Sequence, residues 1–192
     1  MLIATSSCSI NGYKPISKSE KSKIVAPHIF NGAFEKVLYK TSIVIYGNSI
    51  TGLTLIKKTD SAYRVVSMSE LGMKYFDLEF PLDEQIPTIV HYVMEPLNKK
   101  LLVNLIINDF DLTFSPPMIN KLEILINTND SLKIAVKHNK FVYFYNPLGK
   151  ISEIAKHQIS KPVISLSDYA DNFPKHISFN HGKIWFEFKK VD

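Results

Sequence analysis

The chain has 192 residues, of which 45% are hydrophobic and 21% are charged, a balance typical of one folded domain that is long enough to bury a core. The net charge of +5 comes almost entirely from lysine, because Arg64 is the only arginine. Since arginine is the preferred residue for bidentate recognition of bases and phosphates, this composition argues against a nucleic-acid-binding protein. The single cysteine, Cys8, excludes an internal disulfide, and no apolar run reaches the roughly 18 residues of a membrane-spanning helix.

Residues 1–8 read MLIATSSC, an apolar start followed by small residues and Cys8. This order resembles the lipobox at the end of a bacterial lipoprotein signal peptide, which implies a lipid on Cys8. The basic segment of such signals is missing and the apolar stretch is shorter than the roughly 7–15 residues they need, so we interpret residues 1–8 as a truncated signal. The alternative is an incidental cysteine in a disordered N-terminus.

Residues 9–33 are predicted to form a flexible tether, because most of this stretch is rich in Ser, Lys, Asn and Gly and shows little hydrophobic periodicity. Such a tether holds the following domain away from a membrane. No acidic residue directly follows Cys8, which favours an anchor that faces the periplasm.

Residues 34–192 are predicted to form a single β-rich domain. Apolar and polar residues alternate in stretches such as 76–80, 132–137 and 184–189, a pattern typical of antiparallel strands that are buried on one face. Turn residues, among them Gly47 and Gly182, separate these stretches. The spacing predicts a meander that curls into an incomplete antiparallel β-barrel, or half-barrel.

One segment has helical rather than alternating periodicity. It follows Pro96, a residue that suits the first turn of a helix. A second helical turn is expected at residues 168–173, so one or two helices would cover the open side of the half-barrel, while residues 88–94 are interpreted as a strand. The apolar residues that we expect to face the sheet from the first helix are Leu97, Leu101, Leu102, Leu105 and Ile106.

The sequence contains no glycine-rich phosphate loop and no G-x-S-x-G nucleophile motif. His176 and His181 are close in sequence but have no neighbouring carboxylate or cysteine, so we interpret them as turn histidines rather than metal ligands. Asp109 and Asp111 are interpreted as part of a loop at the helix end rather than as an acid–base pair. We therefore expect a protein without catalytic residues, metal or cofactor.

The stretch Phe141–Tyr145 is apolar at every position. It is either a central strand under a covering helix or a strand that lines an apolar pocket, and the two interpretations are compatible. The candidate residues for lining an apolar cavity, each taken from an apolar row, are Leu53, Leu55, Phe76, Leu78, Phe141 and Tyr143.

The early stretches ITGLTLIK (50–57), YRVVSM (63–68) and LGMKYFDLEF (71–80) and the closing stretch FPKHISFNHGKIWFEF (173–188) resemble the LolA/LolB-like lipoprotein-sorting proteins of Gram-negative bacteria. The resemblance covers residues 36–189 by pattern, and the abundance of Lys, Asn and Ile is similar to that of Bacteroidetes lipoproteins. It implies an incomplete barrel, plugged by helices, around an apolar cavity for acyl chains. The lipobox-like start is similar to the lipid-anchored receptor of this group, and the resemblance implies that Leu71 is the exposed leucine of its membrane-insertion loop.

We therefore expect a monomeric, periplasm-facing protein that is lipid-anchored to the outer membrane. It would bind acyl chains or lipidated polypeptides in an apolar cavity and help to place them in that membrane. The alternative is an envelope lipoprotein that acts as a structural or interaction scaffold with a packed interior. A hydrolase is disfavoured, because no nucleophile and base are recognisable together in the sequence.

Overall fold

A computed structural model describes residues 13–15, 29–30, 34–83, 85–114, 123–127, 129, 134–138, 140–156, 162–170 and 173–192. Within these residues it contains one helix, α1 (Lys100–Phe114), and thirteen strands. The strands are β1 (Tyr13–Pro15), β2 (Lys36–Ile45), β3 (Asn48–Lys58), β4 (Ala62–Met68), β5 (Lys74–Pro81), β6 (Ile89–Val93), β7 (Glu123–Asn127), β8 (Ile134–His138), β9 (Phe141–Tyr145), β10 (Ile151–Lys156), β11 (Pro162–Ala170), β12 (Phe173–Asn180) and β13 (Ile184–Lys190). The prediction of a mainly β, antiparallel fold is therefore confirmed.

The chain divides into two compact units. Unit one comprises residues 1–27 and 117–162, and unit two comprises residues 28–116 and 163–192. The sequence showed no sign of this division, because alternating strands and turn residues continue through both parts. Cys8 and most of the predicted tether lie outside the described residues, but Tyr13–Pro15 forms a strand, and Ile29 and Phe30 are buried.

Unit one is an antiparallel sheet with the strand order β1-β7-β8-β9-β10. Strand β9 lies between β8 and β10 and carries buried side chains on both faces, which explains its continuous apolar sequence. On one face Val142 packs with Leu125 and Ala135, and on the other face Tyr143 and Tyr145 are also buried.

Unit two is an antiparallel sheet with the strand order β11-β12-β13-β2-β3-β4-β5-β6, in which chain neighbours are joined mostly by short hairpins. In the described residues β6 pairs with β5 and not with β11, so this sheet is not closed into a barrel. Residues 88–94 were interpreted as a strand, and the position of β6 confirms this.

Helix α1 belongs to unit two, and it is shifted relative to its prediction. It begins at Lys100, because Leu97 lies in a preceding turn where its amide donates to the carbonyl oxygen of Met94 over 2.9 Å. The buried stripe repeats at every third or fourth residue to the end of the helix, so Leu101 lies outside it and is 59% exposed, and Leu105 is only half-buried. The buried residues of α1 are Leu102, Ile106, Asp109, Phe110, Thr113 and Phe114.

No helix in the described part of the chain is long and apolar enough to span a membrane.

The second helical turn, expected at residues 168–173, is wrong. Asp168–Ala170 ends strand β11 and Phe173 begins strand β12, and Tyr169 pairs with Pro174 across the two strands. Strand pairing determines the local conformation here. Asp168 has a left-handed backbone with a φ of 52° beside this turn.

Candidate functional site

The two faces of the unit-two sheet differ in what covers them. We call the face that contacts α1 the helix face and the opposite one the open face. The registers between strands assign side chains to each face, because residues paired across an antiparallel ladder point to the same side. The helix face includes Tyr39, Thr41, Thr54, Ile56, Tyr63, Val65, Ser67, Phe76, Leu78, Phe80, Phe179 and Phe188. The open face includes Leu38, Leu53, Leu55, Arg64, Val66, Asp77 and Glu79.

Aromatic rings fill the space between α1 and the helix face. The ring centroid of Phe110 lies 5.1 Å from that of Phe179, 5.6 Å from that of Phe188 and 5.8 Å from that of Phe80. Phe114 stacks on Tyr63 at 4.4 Å with an interplanar angle of 7°. Because Phe110 and Phe188 are fully buried, this region is a packed core.

The six predicted cavity residues do not lie together on one face. Phe76 and Leu78 are on the helix face and are buried. Leu53 and Leu55 are on the open face and half-buried, because Thr54 occupies the helix face between them. The expectation that Leu53 and Leu55 share a concave face with Phe76 and Leu78 is therefore wrong, since a shift of one residue in a strand reverses the face of every side chain.

The other two predicted cavity residues belong to unit one. Tyr143 is buried, and burial raises the pKa of its hydroxyl to about 12, whereas Phe141 is partly exposed. Tyr145 follows on the same face as Tyr143, and burial also raises the pKa of its hydroxyl. Among the described residues the Tyr145 hydroxyl is buried without a hydrogen-bond partner.

Leu71 lies at the apex of the turn between β4 and β5 and is 98% exposed. The turn is closed by Ser69, whose amide donates to the carbonyl oxygen of Met73 over 2.8 Å and whose carbonyl oxygen accepts from the amide of Gly72 over 3.0 Å. The Ser69 hydroxyl also accepts from the amide of Met73 over 3.0 Å. The turn thus presents Leu71 to solvent on an ordered backbone.

A charged cluster occupies the open face at strands β4, β5 and β6. Arg64 Nε donates to Asp77 over 2.6 Å, and its Nη1 donates to Glu79 over 2.9 Å. Lys74 donates to the second Asp77 oxygen over 2.7 Å, and His91 Nε2 lies 2.9 Å from Glu79. Burial alone would raise the pKa of Asp77, but the hydrogen bonds from Arg64 and Lys74 outweigh the effect of burial, so the pKa of Asp77 is lowered.

Asp109 and Asp111 lie in α1, so their placement in a loop at the helix end is wrong. Asp109 is buried and lies 2.7 Å from Nε2 of His181, which is therefore not a simple turn histidine. Asp111 accepts from the Thr88 hydroxyl over 3.3 Å, and burial raises its pKa. The pair of Asp109 and His181 could not be recognised from residues that are close in sequence, because its members are separated by 72 positions in the chain. The described residues contain no group of three or more potential metal ligands.

One pocket among the described residues lies around strands β2, β3 and β13 and is lined mainly by residues with polar side chains. Its volume is about 230 Å³, and both acidic and basic side chains line it. A mixed lining of this kind suits hydrated polar groups rather than an acyl chain. The residues that line this pocket are Lys40, Thr41, Ser42, Thr51, Gly52, Glu70, Glu187 and Lys189.

No protein-family model matches the chain, and no curated protein matches it.

Proposed function

We propose that this chain is a non-enzymatic, lipid-anchored envelope protein in which unit two is a packed scaffold that presents interaction surfaces at a membrane. The observation that carries the proposal is the aromatic core between α1 and the helix face, where Phe110 is fully buried among strand residues. A scaffold needs a stable framework and exposed surface features, and unit two combines a solid core with exposed apolar turns.

A packed core favours the scaffold over a carrier for an energetic reason. A carrier gains about 0.8 kcal/mol for each CH₂ group of an acyl chain that it takes out of water. In unit two the apolar surface that would supply this energy already contacts Phe110 and Phe114. An acyl chain could enter this region only by displacing α1.

The proposed location follows from the sequence. The lipobox-like start implies a lipid on Cys8, and the resemblance to the LolA/LolB-like group implies the outer membrane. The absence of an acidic residue directly after Cys8 favours the periplasmic side, and we propose that the chain is a monomer there. In a Gram-negative host, the precursor with a complete lipoprotein signal peptide before Cys8 should fractionate with membranes, and its Cys8→Ser variant should be released or remain unprocessed. Mass spectrometry that finds an unmodified Cys8 in the mature chain would remove this part of the proposal.

A second candidate function is an acyl-chain carrier or receptor of the LolA/LolB-like kind. One observation favours it: Leu71 is 98% exposed on a hairpin turn, as the resemblance implies for the membrane-insertion loop of the receptor. In this candidate α1 would cover the open side of a half-barrel and move when a ligand enters.

Overpacking distinguishes the two candidates. Val65 is fully buried on the helix face, so Val65→Trp should cost about 1–3 kcal/mol in a packed core. Leu55→Trp is the matched control, because Leu55 is half-buried on the open face. The scaffold predicts that the wild-type chain does not take up a fluorescent fatty acid, in a titration followed by fluorescence. Saturable uptake that Val65→Trp blocks, with an unchanged denaturation midpoint, would replace the scaffold with the carrier.

A further inference from the structure

The pocket around strands β2, β3 and β13, which we call the charged pocket, arranges its side chains on the open face in two rows that cross the strands. Lys40 pairs with Leu53 on one side and with Lys189 on the other, so both lysines lie on the open face and form a basic row. Ser42 pairs with Glu187 and begins a second row. The two rows are two residues apart along the strands, which corresponds to about 7 Å.

The second row continues through β3 and ends on another carboxylate. Ser42 also pairs with Thr51, and Glu70, in the turn after β4, lines the same pocket. The carbonyl oxygen of Thr51 accepts from the Tyr75 hydroxyl over 2.8 Å, which fixes the backbone of β3 at this point. Gly52 contributes only backbone atoms, and a Cβ atom there would overlap the carbonyl oxygen at the end of β4. The second row therefore has two hydroxyl groups between two glutamates.

The charges in the pocket are only partly paired with one another. Lys189 pairs with Glu187 at 3.2 Å. In the part of the chain that the structure describes, Lys40 and Glu70 form no ion pair. A ligand with a single charge would be attracted by one of these two side chains and repelled by the other. The complementary ligand is therefore a molecule that carries one anionic and one cationic group.

We infer that the charged pocket binds a small zwitterion of about dipeptide length, with its carboxylate at Lys40 and its ammonium group at Glu70. The volume of about 230 Å³ is below the roughly 300 Å³ at which pockets for drug-sized ligands begin, so the ligand is small. An extended dipeptide spans at most about 7 Å, which matches the separation of the two rows. Its peptide group would meet the hydroxyls of Ser42 and Thr51, which have no hydrogen-bond partner among the described residues.

A titration of the ¹⁵N-labelled full-length chain with glycylglycine, followed by the NMR shifts of backbone amides, tests the inference. The shifts should saturate, and they should be largest near Lys40, Thr51 and Glu187. Two matched probes each lack one charge: N-acetyl-glycylglycine has no ammonium group, and glycylglycinamide has no carboxylate. Each should bind about fivefold more weakly than glycylglycine, because it loses one charged hydrogen bond at a partly exposed site.

Two variants assign the ends of the ligand. Lys40→Gln should weaken glycylglycine binding about fivefold and should abolish the preference for glycylglycine over glycylglycinamide, because the carboxylate has lost its partner. Glu70→Gln should abolish the preference over N-acetyl-glycylglycine in the same way. A purely structural role would not change these preferences. Lys40→Gln should leave the urea denaturation midpoint unchanged or higher, because it removes one of two like charges that lie opposite each other.

Lys36→Gln is the matched control. Lys36 lies on the same face of β2, is exposed and pairs with Lys57, but it does not line the pocket. This variant should bind all three probes as the parent chain does. The inference is overturned if glycylglycine causes no saturable shifts at the pocket, if the two blocked probes bind as tightly as glycylglycine, or if Lys36→Gln weakens binding as much as Lys40→Gln. These results involve neither the lipid anchor nor fatty-acid uptake, so they are independent of the proposed scaffold.

Discussion

The helix face and the open face of unit two are built from the same strands, with alternate residues on each side, yet their side chains differ in burial and charge. The helix face contacts α1 and consists mainly of apolar side chains, among them Phe76 and Phe188, which are fully buried. The open face carries half-buried leucines beside an ion-pair cluster around Arg64. One face therefore supplies most of the buried apolar surface, which leaves the other face and the turns to carry charge and contacts.

The buried polar atoms of the two faces also have different kinds of partner. On the helix face, three buried hydroxyl groups form a chain in which Thr41 donates to Thr54 over 2.7 Å and Thr54 donates to Ser67 over 2.9 Å. Each neutral group thereby finds a partner without bringing a charge into the core. On the open face the buried carboxylate of Asp77 is compensated by two cations, Arg64 and Lys74. The first arrangement is insensitive to pH, and the second is not.

The largest expected effect comes from the centre of the helix face. Phe110→Ala should lower the free energy of unfolding by about 3–5 kcal/mol, because it opens a cavity where several rings meet. Leu101→Ala is the control on the same helix, and it should change stability by less than about 0.5 kcal/mol because Leu101 is 59% exposed. Denaturation in urea measures both. Equal effects of the two variants would mean that α1 does not pack on the sheet as described.

An intermediate effect is expected on the open face. Arg64→Met should cost about 1–2 kcal/mol, since it removes two charged hydrogen bonds from carboxylates that are partly screened by solvent. The control is Lys189→Met, which removes a cation that pairs with Glu187 at 3.2 Å in an exposed position, and it should be almost neutral.

The same cluster should make stability fall in acid. Hydrogen bonds, from His91 first and from Arg64, lower the pKa of Glu79, and the pKa of Asp77 is also lowered. Both carboxyls therefore stabilise the folded chain above their ordinary pKa values of 4.5 and 3.8, and this contribution is lost as the pH falls through the lower folded-state values. Arg64→Met should flatten this acid dependence in urea titrations from pH 6 to about pH 2. An unchanged slope would show that other carboxyls cause it.

Removing the middle member of the hydroxyl chain should lower the free energy of unfolding by a similar or slightly smaller amount than Arg64→Met. Thr54→Val preserves shape but leaves the Thr41 hydroxyl without an acceptor and Ser67 without a donor, which should cost about 1–2 kcal/mol. Thr51→Val, on the exposed part of the same strand, should cost almost nothing. If Thr54→Val is as stable as the wild-type chain in urea denaturation, the hydroxyl chain contributes no net stability.

Sequence patterns located strands well but could not assign helix length or distant partners. The alternation at 184–188 predicted buried Ile184, Phe186 and Phe188, and all three are buried. The helix was expected to end before Asp109, although Phe110 and Phe114 continue its buried stripe at intervals of four. Asp109 interrupts that stripe in the sequence, and its contact with His181 is a tertiary contact that no local pattern contains.

The candidate site was harder to predict for a related physical reason. A strand with apolar residues on both sides, such as β3, has no local signal that identifies its inward face. The choice of Leu53 and Leu55 followed the leucine row, whereas the structure buries Thr54 and Ile56. Leu71 is exposed, and Gly72 with a φ of 84° follows it and favours a tight turn at that place. The membrane-insertion role that the resemblance implies for Leu71 stays a prediction.

The smallest predicted effect is that of Leu55→Thr, and it tests most directly which face of β3 points towards α1. Leu55 and Ile56 are adjacent in β3, and Ile56 is fully buried while Leu55 is half-buried. Leu55→Thr should therefore cost less than about 1 kcal/mol, since threonine favours strands and its hydroxyl can reach water on the open face. Ile56→Thr is the matched variant and should cost about 2–4 kcal/mol, because it removes buried methyl groups and brings a hydroxyl into the aromatic core. Urea denaturation of both variants gives the difference directly. If Leu55→Thr proved the more damaging of the two, the register of β3 would be shifted by one residue, and the leucine row would face α1.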